Sequence, residues 1–140
     1  MYIRNEDTIC APATVPGTGA ISVIRISGSD ALRIADKVVC CRKGSICESK
    51  GYTSRFGVIY NSDDPDNPEC AVLDEVIVSI FRAPHSYTGE DSAEISCHAS
   101  SYIVASVMER LYKEGARAAE PGEFTKRAFL NGKLDLAQAE

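Results

Sequence analysis

The sequence predicts an α+β fold, a mixed β-sheet with covering helices. Short segments rich in β-branched residues alternate apolar and polar side chains, most plainly Val72–Phe81 and Ser92–His98. Residues 31–39 and 101–114 instead repeat their apolar side chains at helical spacing. A cluster of turn formers, Asn61-Ser-Asp-Asp-Pro-Asp-Asn-Pro68, joins two strand patterns as a solvated hairpin loop.

Residues 7–14 read as a first strand, and Pro12, which lacks an N–H, pushes its end to a sheet edge. Val15-Pro-Gly-Thr-Gly19 follows as a turn. Its Gly-Thr-Gly is no dinucleotide fingerprint, because a strand and not a helix comes next. That strand, residues 20–26, sets Ile21, Val23 and Arg25 on one face and Ser22, Ile24 and Ile26 on the other. Arg25 therefore shares a face with two β-branched residues. Two readings stay open: a buried guanidinium that needs a carboxylate or an anionic ligand, or a side chain near the strand end that reaches water.

Ser27-Gly-Ser29 predicts a helix start with Asp30 in the first turn. Ala31, Ile34, Ala35, Val38 and Val39 form its apolar stripe. Residues 40–52 show no period and read as a loop. Thr53–Tyr60 reads as a strand, and Val72–Phe81 as the strongest and central one, with Val76, Val78 and Ile80 on one face. The 82–91 loop carries Pro84 and Gly89 to fix its path and Tyr87 to anchor it; such loops, held by rigid strands, often carry function. In Ser92–His98, Ala93, Ile95 and Cys97 face the core, while Glu94, Ser96 and His98 face the other way. That second face is either wet, as in many antiparallel sheets, or a polar pocket lined by Glu94 and His98. Residues 101–114 form a helix with Ile103, Val104, Val107, Met108 and Leu111 on its buried stripe and Gly115 closing it.

Residues 121–133 hold the densest chemistry. Pro121 suits a first helical position. Phe124, Ala128 and Phe129 share a face, Asn131-Gly132 supplies a left-handed stop, and Lys133 lies just past it. On spacing alone this is a helix packed by Phe124 and Phe129, its charges solvated.

Composition bounds the function. With 140 residues, 44% of them hydrophobic and 25% charged, the chain suits one soluble domain with a real core. A net charge of −5 argues against a broad grip on phosphates by this chain alone. No apolar run spans a bilayer and the N-terminus lacks a signal layout, so a cytoplasmic location is expected. The six cysteines, Cys10, Cys40, Cys41, Cys47, Cys70 and Cys97, form no zinc-type spacing, and a disulfide framework is not expected. Cys97 reads as a small core hydrophobe. No phosphate loop, nucleophile motif or metal motif occurs, so no catalytic or metal residue is assigned. Asp135 and Gln138 have the spacing of a capped helix start, cut short at Glu140. The expectation is a fragment of a longer protein: residues 1–120 form one α+β domain, and residues 121–140 complete it and begin a truncated helical domain.

Four blocks together resemble the N-terminal domain of the tRNA modification GTPases of the MnmE (TrmE) family. They are Asp7-Thr-Ile9 through Pro16-Gly-Thr-Gly19; Val23-Ile-Arg-Ile-Ser-Gly28; Ala83-Pro-His-Ser-Tyr-Thr-Gly-Glu-Asp91 through Cys97-His98; and residues 121–140. The resemblance implies a fold similar to the tetrahydrofolate-binding domain of the glycine-cleavage T-protein. It also implies binding of 5-formyl-tetrahydrofolate and homodimerisation through this domain. In the full protein it implies a GTP-hydrolysing domain dependent on K⁺ and Mg²⁺, and a flavoprotein partner, MnmG (GidA). Together these would modify carbon 5 of the wobble uridine of tRNA with a carboxymethylaminomethyl-type group. The family's folate-binding positions fall on Arg25, Glu94 and Lys133. A carboxylate suits the donors of a pterin edge and a cation suits the glutamate tail; which of Arg25 and Lys133 meets the tail stays open. Two departures stand out: Ala99-Ser100 where the family usually has Gly-Gly, and Thr18 where it commonly has Arg. The alternative is a structural dimerisation module that has lost its folate.

Overall fold

Alternation along the strands decides which sheet face is buried, and two amphipathic helices cover it. The computed structural model describes residues 7–14 and 19–133. Its elements are β1 (Ile9–Pro12), β2 (Ile21–Ser27), α1 (Ala31–Val38), β3 (Val39–Cys41), β4 (Thr53–Tyr60), β5 (Val72–Phe81), β6 (Ser92–His98), α2 (Ser101–Lys113), β7 (Arg117–Ala118) and α3 (Glu123–Leu130). The strands form one sheet in the order β3-β4-β5-β6-β2-β1-β7. Neighbours are antiparallel except β1 and β7, which run parallel. The fold is thus α+β with a mixed sheet, as the sequence predicts.

Ile24 and Ile26 of β2, Val76, Val78 and Ile80 of β5, and Ala93, Ile95 and Cys97 of β6 line the buried face. Ile34 and Val38 of α1 and Val107 and Leu111 of α2 close over them. Burial of this apolar surface is the main stabilising term. Ser100 caps α2 by accepting the Ile103 N–H at 3.4 Å, with Gly115 just past the helix. Among the described residues, no helix is long and apolar enough to cross a membrane.

Several local expectations shift. β5 is paired on both sides, but β6 is the middle strand. Residues 40–52 begin with the end of a short strand, since Val39 leaves α1 and pairs with Ile59; three residues are too few to show alternation. Residues 116–120 contain β7, placed by Arg117 N–H donating to Thr8 O. β7 spans only Ile9 and Cys10 of β1, so Pro12 lies beyond its reach and its missing donor costs nothing there. Asp30 stands at the cap position of α1, not in its first turn, and its side chain makes no cap bond. Thr8 Oγ1 instead accepts the Asp30 N–H at 3.0 Å.

The largest correction concerns α3. It starts at Glu123 after Gly122 (φ 74°), leaving Pro121 outside. Its buried face carries Glu123, Arg127 and Ala128, whereas Phe129 is 38% exposed and Phe124 is half-buried. Charge pairing selects that face, because Glu123 and Arg127 find partners only there. The expected stop is present: Gly132 (φ 74°) N–H donates to Phe129 O and Lys133 N–H to Ala128 O. The Asp135–Gln138 capping pattern and Thr18 lie outside the described residues.

Candidate functional site

Arg25 and Glu94 face each other across β2 and β6. Arg25 Nε donates to Glu94 Oε2 at 3.0 Å. Of the two readings of Arg25, the paired one holds: the guanidinium meets a carboxylate on its own sheet face. The side chains are 23% and 28% exposed, so the pair is sheltered yet open to a ligand. Only Nε of Arg25 is engaged among the described residues, so its two terminal nitrogens and Glu94 Oε1 remain for other partners. This face is opposite the one that packs on α1 and α2, because Arg25 alternates with Ile24 and Ile26.

Two aromatic rings shelter the pair. The Arg25 guanidinium carbon is 4.9 Å from the Tyr87 ring centre and 5.4 Å from that of Phe124. Tyr87 comes from the 82–91 loop and Phe124 from α3, and they are tied by a 3.0 Å bond between Tyr87 Oη and Thr125 Oγ1. Phe124, expected in the core, is therefore a wall of the site.

Lys133 lies exposed just past α3. Gly89 (φ 82°) brings the loop against it: a Cβ on Gly89 would stand 2.8 Å from Asn131 Cβ and 3.3 Å from Lys133 Cγ. Asn131 Nδ2 also donates to Thr88 O at 2.8 Å. Lys133 thus borders the same loop as Tyr87, while no hydrogen bond or ion pair joins it to Arg25 or Glu94 among the described residues. His98 stands apart. It pairs with Ile21 at the far end of β6, and its Nδ1 sits 2.7 Å from Asp74 Oδ1.

Sequence reasoning missed the charged residues behind this site. Arg127, 1% exposed, reaches Glu90 Oε1 and Oε2 at 3.2 Å each and Glu123 Oε2 at 3.4 Å. Glu123 takes two bonds from Arg117, at 2.9 and 2.7 Å, and Arg117 reaches Asp7 at 3.2 Å. The Arg117 guanidinium lowers the Glu123 carboxyl to about 2; burial opposes the shift, and the Glu120 N–H and Arg127 assist it. The bonds that Arg117 donates to Glu123 in turn raise the Arg117 guanidinium. The signal available in the sequence was the i,i+4 spacing of Glu123 and Arg127; nothing local pointed to Glu90.

Ala99 and Ser100 are not at this site. Neither has positive φ, so the backbone does not demand glycine at either position. They line a cavity of about 400 Å³ with Pro12, Ser22 and Met108. All six cysteines are free thiols, and among the described residues no group of three or more His, Cys, Asp or Glu is placed to hold a metal.

The comparisons with known proteins agree on one family. A family model described as GTP-binding protein TrmE N-terminus matches residues 8–133. The tRNA modification GTPase MnmE of Bacteroides thetaiotaomicron is 56% identical over 138 residues, covering 97% of this chain and 28% of that protein. Those of Moorella thermoacetica and Enterococcus faecalis are 53% and 48% identical, over 96% of this chain and 28% of each relative. The chain thus spans under a third of the length of these relatives, and the part it matches is the part built here around Arg25 and Glu94: it belongs to the TrmE N-terminal domain family.

Proposed function

We propose that this chain binds 5-formyl-tetrahydrofolate at Arg25, Glu94 and Lys133, as the N-terminal domain of a tRNA modification GTPase. The observation that supports this reading most is the half-open Arg25–Glu94 pair, whose remaining polar atoms suit the ligand. Glu94 Oε1 accepts from the amino-pyrimidinone edge of the pterin. The Arg25 terminal nitrogens and the Lys133 ammonium offer charge-assisted donors to ring oxygens or to the glutamate tail. Tyr87 and Phe124 keep Arg25 in place and exclude water from one side. When bound, the folate would supply a one-carbon unit. The fold similarity to the folate-binding domain of the glycine-cleavage T-protein belongs to the same proposal.

The chain also forms a homodimer in this reading. The sheet face that bears Arg25 continues into Ile21, Phe56 and Ile77, which are 59%, 41% and 50% exposed and suit a second copy. In the cytoplasm the full-length protein acts with the flavoprotein MnmG on the wobble uridine of tRNA, installing a carboxymethylaminomethyl-type group at carbon 5. In this reading GTP, K⁺ and Mg²⁺ act in the full-length protein, outside this chain.

Calorimetric titration of Glu94→Ala and Lys133→Ala with 5-formyl-tetrahydrofolate tests the site. Each is expected to bind at least about tenfold more weakly than wild type, a change of about 1.4 kcal/mol, with unchanged thermal unfolding. Wild-type affinity in both removes them from the site. A dimer by light scattering that binds no folate supports the structural-module alternative.

A further inference from the structure

Resting on the folate reading of Arg25 and Glu94, we propose that Arg127 is a positioning residue for this site: through Glu90 it fixes the 82–91 loop, and with it Tyr87 beside Arg25.

The loop apex is gripped from two sides. From the sheet, Ser27 Oγ lies 2.6 Å from Thr88 Oγ1 and donates to Glu90 Oε1 at 2.9 Å. From α3, Arg127 Nη1 bridges both Glu90 oxygens, and Asn131 Nδ2 donates to Thr88 O. Thr88 is fully buried and Gly89 has no room for a side chain, so the apex sits between β2 and α3 like a tenon. Tyr87 is the next residue along. Its ring stands over Arg25, and its hydroxyl returns to Thr125 of α3. A displaced apex therefore moves the ring that shelters the guanidinium.

Stability alone is a poor reason for the Arg127–Glu90 arm, unlike the Arg117–Glu123 pair. Buried ion pairs repay their desolvation poorly, and apolar replacements of matching volume are often as stable. Among the described residues, Arg127 Nε even finds no partner in the interior. What Arg127 supplies and an apolar residue cannot is a fixed direction for Glu90. The network also divides into two arms that share Arg127 and Glu123. One arm, Arg117 and Asp7, ties α3 to β7 and the start of β1 without touching the loop. The other, Glu90, Ser27 and Thr88, holds the loop.

The two arms give the test. Replacement of Arg127 itself risks unfolding, so Glu90→Gln is the decisive variant and Asp7→Asn its control. The readouts on the ¹⁵N-labelled chain are amide exchange at Gly89 and Glu90, the Arg25 Nε–H resonance, and calorimetric binding of 5-formyl-tetrahydrofolate. Glu90→Gln is expected to speed loop exchange about tenfold, to shift the Arg25 resonance and to weaken binding about tenfold. Asp7→Asn should leave all three as in wild type, whatever it does to melting. Wild-type exchange and resonance in Glu90→Gln overturn the proposal, as do equal changes in the two variants, which would mark the network as general glue. If wild type binds no folate but Glu90→Gln still frees the loop and moves Arg25, the folate reading fails and the positioning role stands.

Discussion

Replacing Glu123 by Gln keeps shape and removes one charge from the centre of the Arg117–Glu123–Arg127 network. Glu123 is 4% exposed, and its carboxyl falls from the usual 4.5 to about 2, chiefly through the bonds from Arg117. A fall of that size corresponds to about 3 kcal/mol of folding free energy, to order of magnitude. The sign follows from the direction. A carboxyl depressed in the folded state contributes fully above its unfolded pKa and loses that contribution as pH falls through the folded value. Wild type should therefore exceed Glu123→Gln by about 3 kcal/mol at neutral pH, with the gap closing between pH 4.5 and about 2. Urea unfolding of both proteins at a series of pH values between neutral and about 2 measures this gap directly. Other titrating groups act on both proteins and largely cancel. A gap below about 1 kcal/mol at neutral pH, the worth of a surface pair, would refute the reasoning. So would a gap that does not change with pH.

Ser100→Ala removes the α2 cap and should cost about 1 kcal/mol by urea unfolding; no change would show that the helix start is held otherwise. Gly89→Ala places a Cβ 2.8 Å from Asn131 Cβ at a φ of 82°, and a loss of about 1–3 kcal/mol is expected. Burial pushes the Cys10 thiol up to about 12 and the Cys97 thiol up to about 11. In the native protein at mildly alkaline pH, alkylation read by mass spectrometry should therefore label exposed Cys40 and Cys47 while sparing Cys10 and Cys97. Equal labelling of all four would contradict the packing described.

The parts of the fold that were legible in the sequence are those with a period to read. β4, β5 and β6 end where their alternation ends, because one face of each is core and the other is not. α2 was equally plain from its stripe and its Gly115 stop. β3 and β7 were not, since strands of three and two residues are defined by neighbours that sequence does not display. α3 failed instructively. Its aromatic spacing suggested a Phe face in the core, yet its partners are charges from β7, a few residues upstream, and from the 82–91 loop, far away in sequence. The candidate site divides along the same line. Arg25 was recognisable as a charge among apolar neighbours and Glu94 as a carboxylate on an open strand face, but their 3.0 Å pairing depends on the β2–β6 register. Tyr87 and Phe124 join them only because the loop and α3 are pinned together.

The central claim, that the Arg25–Glu94 face is a folate site, is tested most directly by titrating the wild-type chain with 5-formyl-tetrahydrofolate in a calorimeter while recording the Arg25 Nε–H resonance. Saturable binding that shifts the Arg25 resonance is the predicted result. A folded chain that shows neither heat nor any change at Arg25 would contradict it.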